Sequence, residues 1–250
     1  MEKPNKLSTT EELARWNDKM VKLYHQEGTI FKSKNPIVRI LEKMRLRKII
    51  KFAQIKNNNK ILDLGCGEGY LISLLPDEIS IVGIDISPTA LNQAKETFKN
   101  KKNVSFELGN AYKLDYPEKY FDRIICSEVL EHIPDPRRVI EEIHRLLKDD
   151  GLAIISIPDE KRIQKIMSII QFFGLEKFVH AARKQKEYEW HLHSANKKFL
   201  REISNNLLEI RKIARTPAII GYRFVASLKK IYILPLNYYF MKFINQFFVL

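Results

Sequence analysis

The sequence is poor in cysteine, which limits the kinds of protein it can be. Only two cysteines, Cys66 and Cys126, occur among 250 residues, so the chain cannot carry the disulfide framework typical of small secreted proteins. Neither cysteine belongs to a Cys/His cluster, which argues against a thiolate metal site or a catalytic thiol. We expect a pair of reduced thiols that serve as small apolar filler.

The sequence also lacks an apolar leader and a convincing membrane span. Residues 1–6 lead into polar sequence and not into an apolar segment with a small-residue cleavage site, so they do not resemble a secretory signal. Four polar or helix-breaking residues interrupt the most apolar stretch, residues 231–250: Pro235, Asn237, Asn245 and Gln246. We therefore expect a cytoplasmic protein, whose C-terminal segment either packs on the domain or contacts a membrane surface.

Acidic residues are scarce in both flanks of the chain. Residues 1–56 carry a formal net charge of +8 and residues 161–250 carry +12, whereas residues 57–160 carry −7. Basic flanks around an acidic centre favour an anionic ligand or an anionic surface, although solvated helix faces would give the same charge pattern.

What the sequence does contain is a glycine-rich turn after a short apolar run. Residues 61–64 read Ile-Leu-Asp-Leu, and Gly65, Gly67 and Gly69 follow at alternate positions. Such a turn lets bare backbone approach a ligand at a helix N-terminus. Twenty residues after Gly65, a second apolar run ends in Asp85. Nucleotide-binding α/β folds place an acid there to accept hydrogen bonds from ribose hydroxyls, so the combination predicts a nucleotide cofactor site.

The glycine spacing argues against two common phosphate-binding motifs. A dinucleotide fingerprint needs G-x-G-x-x-G, but Tyr70 occupies the place of its third glycine. A P-loop needs a Lys-Ser/Thr pair after the glycines, and none follows here. A tight turn without a ligand would not explain three glycines and a spaced acid together.

These residues resemble the class I S-adenosylmethionine (SAM)-dependent methyltransferases, especially the group called type 11. The resemblance runs nearly continuously from about residue 60 to residue 158 and is silent about the methyl acceptor. Four further segments match this family in order: Gly109–Leu114, Tyr120–Ser127, Val129–Pro136 and Leu147–Pro158.

The resemblance and the alternating strand and helix patterns predict an α/β fold. We expect a Rossmann-like, doubly wound, mostly parallel seven-stranded sheet with N-terminal helices and a helical insertion after the fifth strand. The predicted parts are an N-terminal helical cap (1–56), a SAM-binding core (57–158), and a segment (159–250) with the acceptor-pocket insertion, the last strands and the apolar, basic C-terminus. Strands are predicted near 60–64, 80–85, 103–108, 120–126, 151–157 and 207–213, with Gln246–Leu250 as the candidate for the seventh. Helices within and after the core are predicted near 69–75, 88–99, 136–148, 159–186 and 195–206.

The resemblance also implies which residues hold SAM. The glycines would approach its methionine part, Asp63 would order the loop or receive the ammonium group, and Asp85 would hold the ribose. Because Asn110 stands where the family usually has Asp, the adenine contact there would involve its amide and the Ala111 backbone. The full expected set is Asp63, Gly65, Cys66, Gly67, Gly69, Asp85, Ile86, Asn110, Ala111 and Ser127.

Candidate catalytic residues follow the fourth predicted strand. His132 or Glu128 could act as general base, although a lone histidine often only holds a loop. His191 and His193 are assigned to the acceptor pocket. If extended, they would point the same way, as two metal ligands might, but the sequence shows no third ligand, so no metal is predicted.

The resulting expectation is methyl transfer by in-line displacement to a small-molecule, glycan or lipid-linked acceptor of anionic character. The expectation that the acceptor lies at a membrane surface depends on the basic flanks and the apolar C-terminal segment. Two alternatives are an RNA or protein methyltransferase and a non-catalytic SAM-binding partner protein. Nucleic acid is disfavoured because the sequence shows no recognised nucleic-acid module and no Asn/Asp-Pro-Pro-Tyr-type motif.

Overall fold

Seven strands form one sheet in the order β3-β2-β1-β4-β5-β7-β6. The computed structural model describes residues 4–5, 8–24, 36–173, 191–218 and 221–231. Strands β1 to β5 pair in parallel, and β7 pairs antiparallel with both β5 and β6. The strands are β1 Lys60–Leu64, β2 Ser80–Asp85, β3 Val104–Leu108, β4 Phe121–Ser127, β5 Leu147–Pro158, β6 Leu208–Thr216 and β7 Arg223–Lys230.

The strand order reverses between β1 and β4. The chain moves outward from β1 through β2 to β3 and then returns to place β4 on the other side of β1. A crevice opens at such a switch point, outside the carboxyl ends of the strands. The glycine turn follows β1 and the segment 128–132 follows β4, so the fold brings both to this crevice.

Six helices surround the sheet in the described part of the chain: α1 Thr10–Tyr24, α2 Pro36–Ala53, α3 Pro88–Thr97, α4 Pro136–Leu146, α5 Glu160–Phe172 and α6 Lys197–Ser204. Local sequence explains several of their starts. Thr9 and Glu12 form a reciprocal capping box at α1, with the Glu12 N–H donating to the Thr9 hydroxyl and the Thr9 N–H to the Glu12 carboxylate. Ser87 caps α3 by accepting the Ala90 N–H, and Pro88 occupies the first helical position.

Alternate residues of the central strands enter two separate cores. Leu62 and Leu64 face one core, which α4 and α6 cover, whereas Ile61 faces the other, which α2 and α3 cover. A parallel sheet buried on both faces explains why these strands are nearly continuous apolar runs. The α/β class and the doubly wound arrangement are therefore confirmed.

Some predicted elements need correction. The helix expected over 69–75 is only a short 3₁₀ turn, Ile72–Leu74, because the glycine loop uses the preceding residues. The seventh strand is Arg223–Lys230, not Gln246–Leu250, which lies outside the described residues. Buried Phe224, Val225 and Ala226 fit this strand into the sheet. The insertion is helical over α5. Residues 174–190, which include the rest of the predicted 159–186 helix, lie outside the described ranges.

The segment 159–250 also contributes β6 and β7 to the central sheet, so it is structurally continuous with the core that precedes it. Within the described ranges, no helix has the length and apolar character needed to cross a bilayer.

Candidate functional site

The glycine loop leaves an open cradle in front of its backbone. Gly65, Gly67 and Gly69 all have positive φ, at +76°, +52° and +81°. A Cβ at Gly65 would lie 2.3 Å from the Val129 side chain, and one at Gly69 would lie 2.6 Å from Phe98, so neither position tolerates a side chain without displacement. A Cβ at Gly67 would meet nothing within 4 Å. The loop therefore offers the empty space beside bare backbone that a nucleoside cofactor needs, and the site fits SAM on this criterion.

Asp85 ties the second strand to this loop. One of its carboxylate oxygens accepts the Gly67 N–H at 2.8 Å, and the other accepts the Ser87 N–H at 2.9 Å. A carboxylate oxygen has two lone pairs, so each can accept a further hydrogen bond from a ribose hydroxyl. This geometry allows the predicted ribose contact.

Asp63 places a second carboxylate below the loop. Its side chain is only 3% exposed. Burial, reinforced by the charge of Asp85 and opposed by Arg45, raises the pKa of Asp63 from 3.8 to about 7. A cationic ligand would offset this cost, which suits the ammonium group of SAM.

Three hydrogen bonds from two residues, Asp18 and Thr10, fasten helix α1 across the ends of β2 and β3. Asp18 accepts hydrogen bonds from the Ser87 hydroxyl at 2.8 Å and the Thr89 N–H at 3.2 Å. Thr10 accepts one from the Asn110 amide at 2.9 Å. Burial opposes ionisation of Asp18, but its bonds with Lys22, Thr89 and Ser87 lower its pKa from 3.8 to about 2. The helix is thus held across the carboxyl ends of β2 and β3, next to the proposed cofactor residues.

The Asp18→Ala variant should loosen this attachment of α1. We expect faster amide hydrogen exchange in α1 and about tenfold weaker SAM binding, because the variant loses charge-assisted bonds to Ser87 and Thr89. Calorimetry and exchange mass spectrometry measure the two effects. Asp77→Ala is the matched control, since Asp77 is an exposed carboxylate paired with Lys101. Unchanged exchange in α1 would contradict the role assigned to Asp18.

The structure changes the reasoning about the adenine contact. The Asn110 amide donates to Thr10, while its oxygen accepts the Tyr112 N–H at 3.0 Å. Because one N–H and one oxygen lone pair of this amide are already engaged, the remaining N–H and lone pair of Asn110 and the Ala111 backbone are the groups of these two residues left to contact the adenine edge. Ile86 lies half-buried beside Asp85, where the resemblance places it against adenine.

The two remaining residues of the predicted set are Cys66, which lies within the loop, and Ser127, at the end of β4. Cys66 and Cys126 are both free and buried, and burial raises the pKa of each thiol. Ser127 accepts a hydrogen bond from the guanidinium of Arg45, a buried residue of α2. Ser127 thus joins α2 to the end of β4.

Glu128 belongs to a buried ionic network. One oxygen contacts Arg223 Nε at 2.8 Å, and the other accepts the Ser156 hydroxyl at 2.8 Å. Arg223 also pairs with Glu42. Glu128 has a φ of +58°, which is uncommon for a residue with a side chain. These contacts hold Glu128 between β4, β5 and β7.

Beside this network, a second cluster combines Glu131, His132 and His191. One potential ligand atom from each of the three residues lies within 4.8 Å of the others. His132 Nε2 lies 4.0 Å from a Glu131 oxygen, and the His132 and His191 rings meet edge to face with centroids 4.9 Å apart. His191 Nδ1 lies 2.8 Å from a Glu160 oxygen at the start of α5.

The two histidines assigned to the acceptor pocket therefore have different surroundings. His191 joins the cluster, whereas His193 Nε2 contacts the Ile133 carbonyl oxygen at 2.8 Å and its ring stacks on Phe199. The sequence reasoning misses Glu160. Its position, two residues after the fifth strand, is the available signal, because that end of the strand faces the crevice.

Comparisons with known proteins identify the family and the fold of the chain. The model of a family described as "Methyltransferase domain" matches residues 55–209. Demethylmenaquinone methyltransferase of Staphylococcus carnosus is 26% identical over 71% of this chain and 78% of its own length. Ubiquinone biosynthesis O-methyltransferase of Coxiella burnetii is 30% identical over 58% of this chain, and the alignment spans only 61% of that relative. The PH0226 protein of Pyrococcus horikoshii has a similar fold, with a TM-score of 0.64 and 21% identity over 85% of this chain and 99% of that one.

Proposed function

The chain belongs to the class I SAM-dependent methyltransferases, and we propose that it methylates a small-molecule or lipid-linked acceptor of anionic character. The observation that carries the proposal is the position of the His132 cluster. Val129 packs on Gly65, and His132 lies three residues later, so the cluster adjoins the cofactor cradle. A glycan acceptor belongs to the same proposal, since its hydroxyl would react in the same way.

Each part of the site has a distinct task in this proposal. When bound, SAM supplies an electrophilic methyl group on a sulfonium that is already a good leaving group. The glycine loop and Asp85 hold and orient it, and the α1 cap excludes water. His132 is placed to accept the proton of an acceptor hydroxyl. Glu128 is less suited to that task, because Arg223 and Ser156 already engage its carboxylate.

Helix α5 supports an acceptor that is partly apolar. The helix starts beside the carboxyl end of β5, on the crevice side of the sheet. Ile169, Phe172 and Phe173 near its end are 50%, 84% and 65% exposed. Three basic residues lie on the same helix: Lys161, Arg162 and Lys165. An apolar patch at the end of a helix whose first turns carry cations suits a lipid-linked, anionic molecule at a membrane surface. Two relatives carry the names of menaquinone and ubiquinone enzymes, which is consistent with this class.

A basic groove of about 410 Å³ at the other end of the sheet does not serve this purpose. Lys197, Arg201 and Lys212 line it together with the start of β6. Because β6 runs parallel to β1 through β5, its first residues lie at the amino ends of the strands, opposite the cofactor cradle.

Vesicle binding tests the membrane part of the proposal. Replacing Phe172 and Phe173 by serine should lower co-sedimentation with anionic vesicles by about tenfold or more, because two exposed aromatic side chains leave the interface. Leu74→Ser, which changes another exposed apolar residue, is the control. A truncation to probe the C-terminal segment must end after Ile231, because an earlier cut removes β7. Unchanged sedimentation of the double variant would contradict a membrane contact at α5.

The methyl-transfer assay tests the rest. Purified protein with SAM should methylate an anionic phenol- or glycan-type member of an acceptor panel, with the demethylated cofactor formed in equal amount. Transfer to RNA or protein alone would favour the first alternative. Tight SAM binding with no transfer to any acceptor would favour a non-catalytic partner protein.

A further inference from the structure

Glu131 is a buried carboxylate with no hydrogen-bond partner among the described residues. Its side chain is 0% exposed, and neither oxygen has a hydrogen bond among the described residues. Leaving an ionisable group in this state costs several kcal/mol, yet Glu131 follows β4 two residues after Val129, whose side chain lies against Gly65 of the glycine loop. A buried acid of this kind beside two histidines indicates a site that can receive a cation.

His191 is already oriented in the way metal-binding histidines are. Glu160 contacts its Nδ1 at 2.8 Å. A carboxylate at one ring nitrogen fixes the tautomer with the proton on that nitrogen and makes Nε2 the one that can coordinate an ion. Glu160 would thus act behind the ligand, as an outer-shell partner.

The three groups match a common ligand set. Two imidazole nitrogens and one carboxylate oxygen bind divalent transition metals in tetrahedral sites that keep a position open. Ligands at about 2.0–2.2 Å from such an ion are about 3.4 Å apart. The ligand atoms here lie within 4.8 Å of one another. Side-chain movements of about 1 Å would therefore close the site around an ion.

We propose that Glu131, His132 and His191 bind one divalent transition cation of the zinc type, with Glu160 orienting His191. The sequence alone predicts no cation, because the pair His191/His193 lacks a third ligand. In the folded protein, His132 and Glu131 lie beside His191, whereas His193 does not belong to this cluster. The ion would neutralise the carboxylate and present an open coordination position towards the crevice.

The catalytic consequence rests on the proposed methyl transfer, whereas binding of the cation does not. An acceptor hydroxyl that coordinates the ion becomes more acidic, as zinc-bound water does. With the ion bound, the hydroxyl proton would pass to solvent water, and the oxygen would attack the methyl carbon as the carbon–sulfur bond of SAM breaks. His132 would then be a ligand, whereas in the cation-free protein it keeps the role of base proposed above. An anionic acceptor would also gain attraction to the cation.

Zinc titration of the full chain, stripped with a chelator and kept without acceptor, tests the site. We expect one saturable site by calorimetry, and Co²⁺ in the same site should give visible bands of tetrahedral type. Glu131→Gln and His191→Gln should weaken Zn²⁺ binding by about a hundredfold, and Glu160→Gln by about tenfold. His144→Gln, on α4 and outside the cluster, is the matched control and should bind as the parent does. Thermal melts confirm that each variant is folded.

Two results would overturn the proposal. One is the lack of any saturable Zn²⁺ or Mn²⁺ binding by the parent protein. The other is binding that survives the double substitution Glu131→Gln and His191→Gln, which would assign it to other groups. SAM binding, measured on the same samples, keeps the tests separate: normal SAM binding without zinc binding removes the cation and leaves the methyltransferase intact.

Discussion

Replacing Asp85 by alanine should weaken SAM binding by about a hundredfold. The carboxylate holds the Gly67 N–H and the Ser87 N–H, and it is placed to accept the ribose hydroxyls. Loss of two charge-assisted hydrogen bonds at about 1.5 kcal/mol each gives about 3 kcal/mol, or about two orders of magnitude in Kd. Isothermal calorimetry with SAM and with its demethylated product measures the effect. Both ligands should be affected alike, because both carry the ribose.

Two companion variants make this result specific. Asp85→Asn keeps one acceptor oxygen and should fall between the parent and the alanine variant. Asp77→Ala removes an exposed carboxylate of the same charge and should bind SAM normally. Circular dichroism shows whether the Asp85 variants remain folded. A folded Asp85→Ala protein with the affinity of the parent would show that the cofactor does not lie on this loop.

Replacing Asp63 by asparagine should stabilise the cofactor-free protein at pH 8 and yet weaken SAM binding. The folded-state pKa of about 7 lies above the usual value of 3.8. The folded form therefore binds a proton more tightly than the unfolded form. The stability that this proton contributes is present in full below about pH 4 and is lost as the pH rises through about 7. The difference between the folded-state and the usual pKa of Asp63 corresponds to about 4 kcal/mol of stability.

The measurement is the free energy of unfolding of both proteins between pH 4 and pH 8. The asparagine side chain of Asp63→Asn cannot ionise, so the variant should lose less stability over this range, and its Tm at pH 8 should exceed that of the parent by several degrees. SAM affinity should rise from pH 6 to pH 8 in the parent, as the carboxylate that meets the ammonium group ionises, and should be flatter in the variant. Parallel stability curves would show that Asp63 is not buried and protonated as described.

The sequence is sufficient to predict the fold and to predict that the proposed cofactor residues lie together, because both depend on local patterns. Apolar runs of strand length separated by helical patterns predict a parallel sheet, and Gly65, Gly67, Gly69 and Asp85 follow strands whose carboxyl ends meet. The caps Thr9 and Ser87 are equally local signals for the start of a helix, because each capping hydroxyl accepts a hydrogen bond from the N–H three residues later. Composition and the absence of a cysteine framework exclude a small disulfide-rich secreted protein before any contact in the structure is known.

Only the tertiary structure determines which residues surround the proposed cofactor residues. Glu131, Glu160 and His191 are about thirty residues apart in turn, and no local periodicity connects them. Their meeting depends on where β4, β5 and the chain after residue 190 end. The sequence misplaces the seventh strand for the same reason. Which apolar run becomes that strand depends on its pairing with β5 and β6, and the residues of a single run do not show this pairing. The burial that raises the pKa of Asp63, and that leaves the Glu131 carboxylate without a hydrogen bond among the described residues, arises only when the whole sheet packs between its two helical layers.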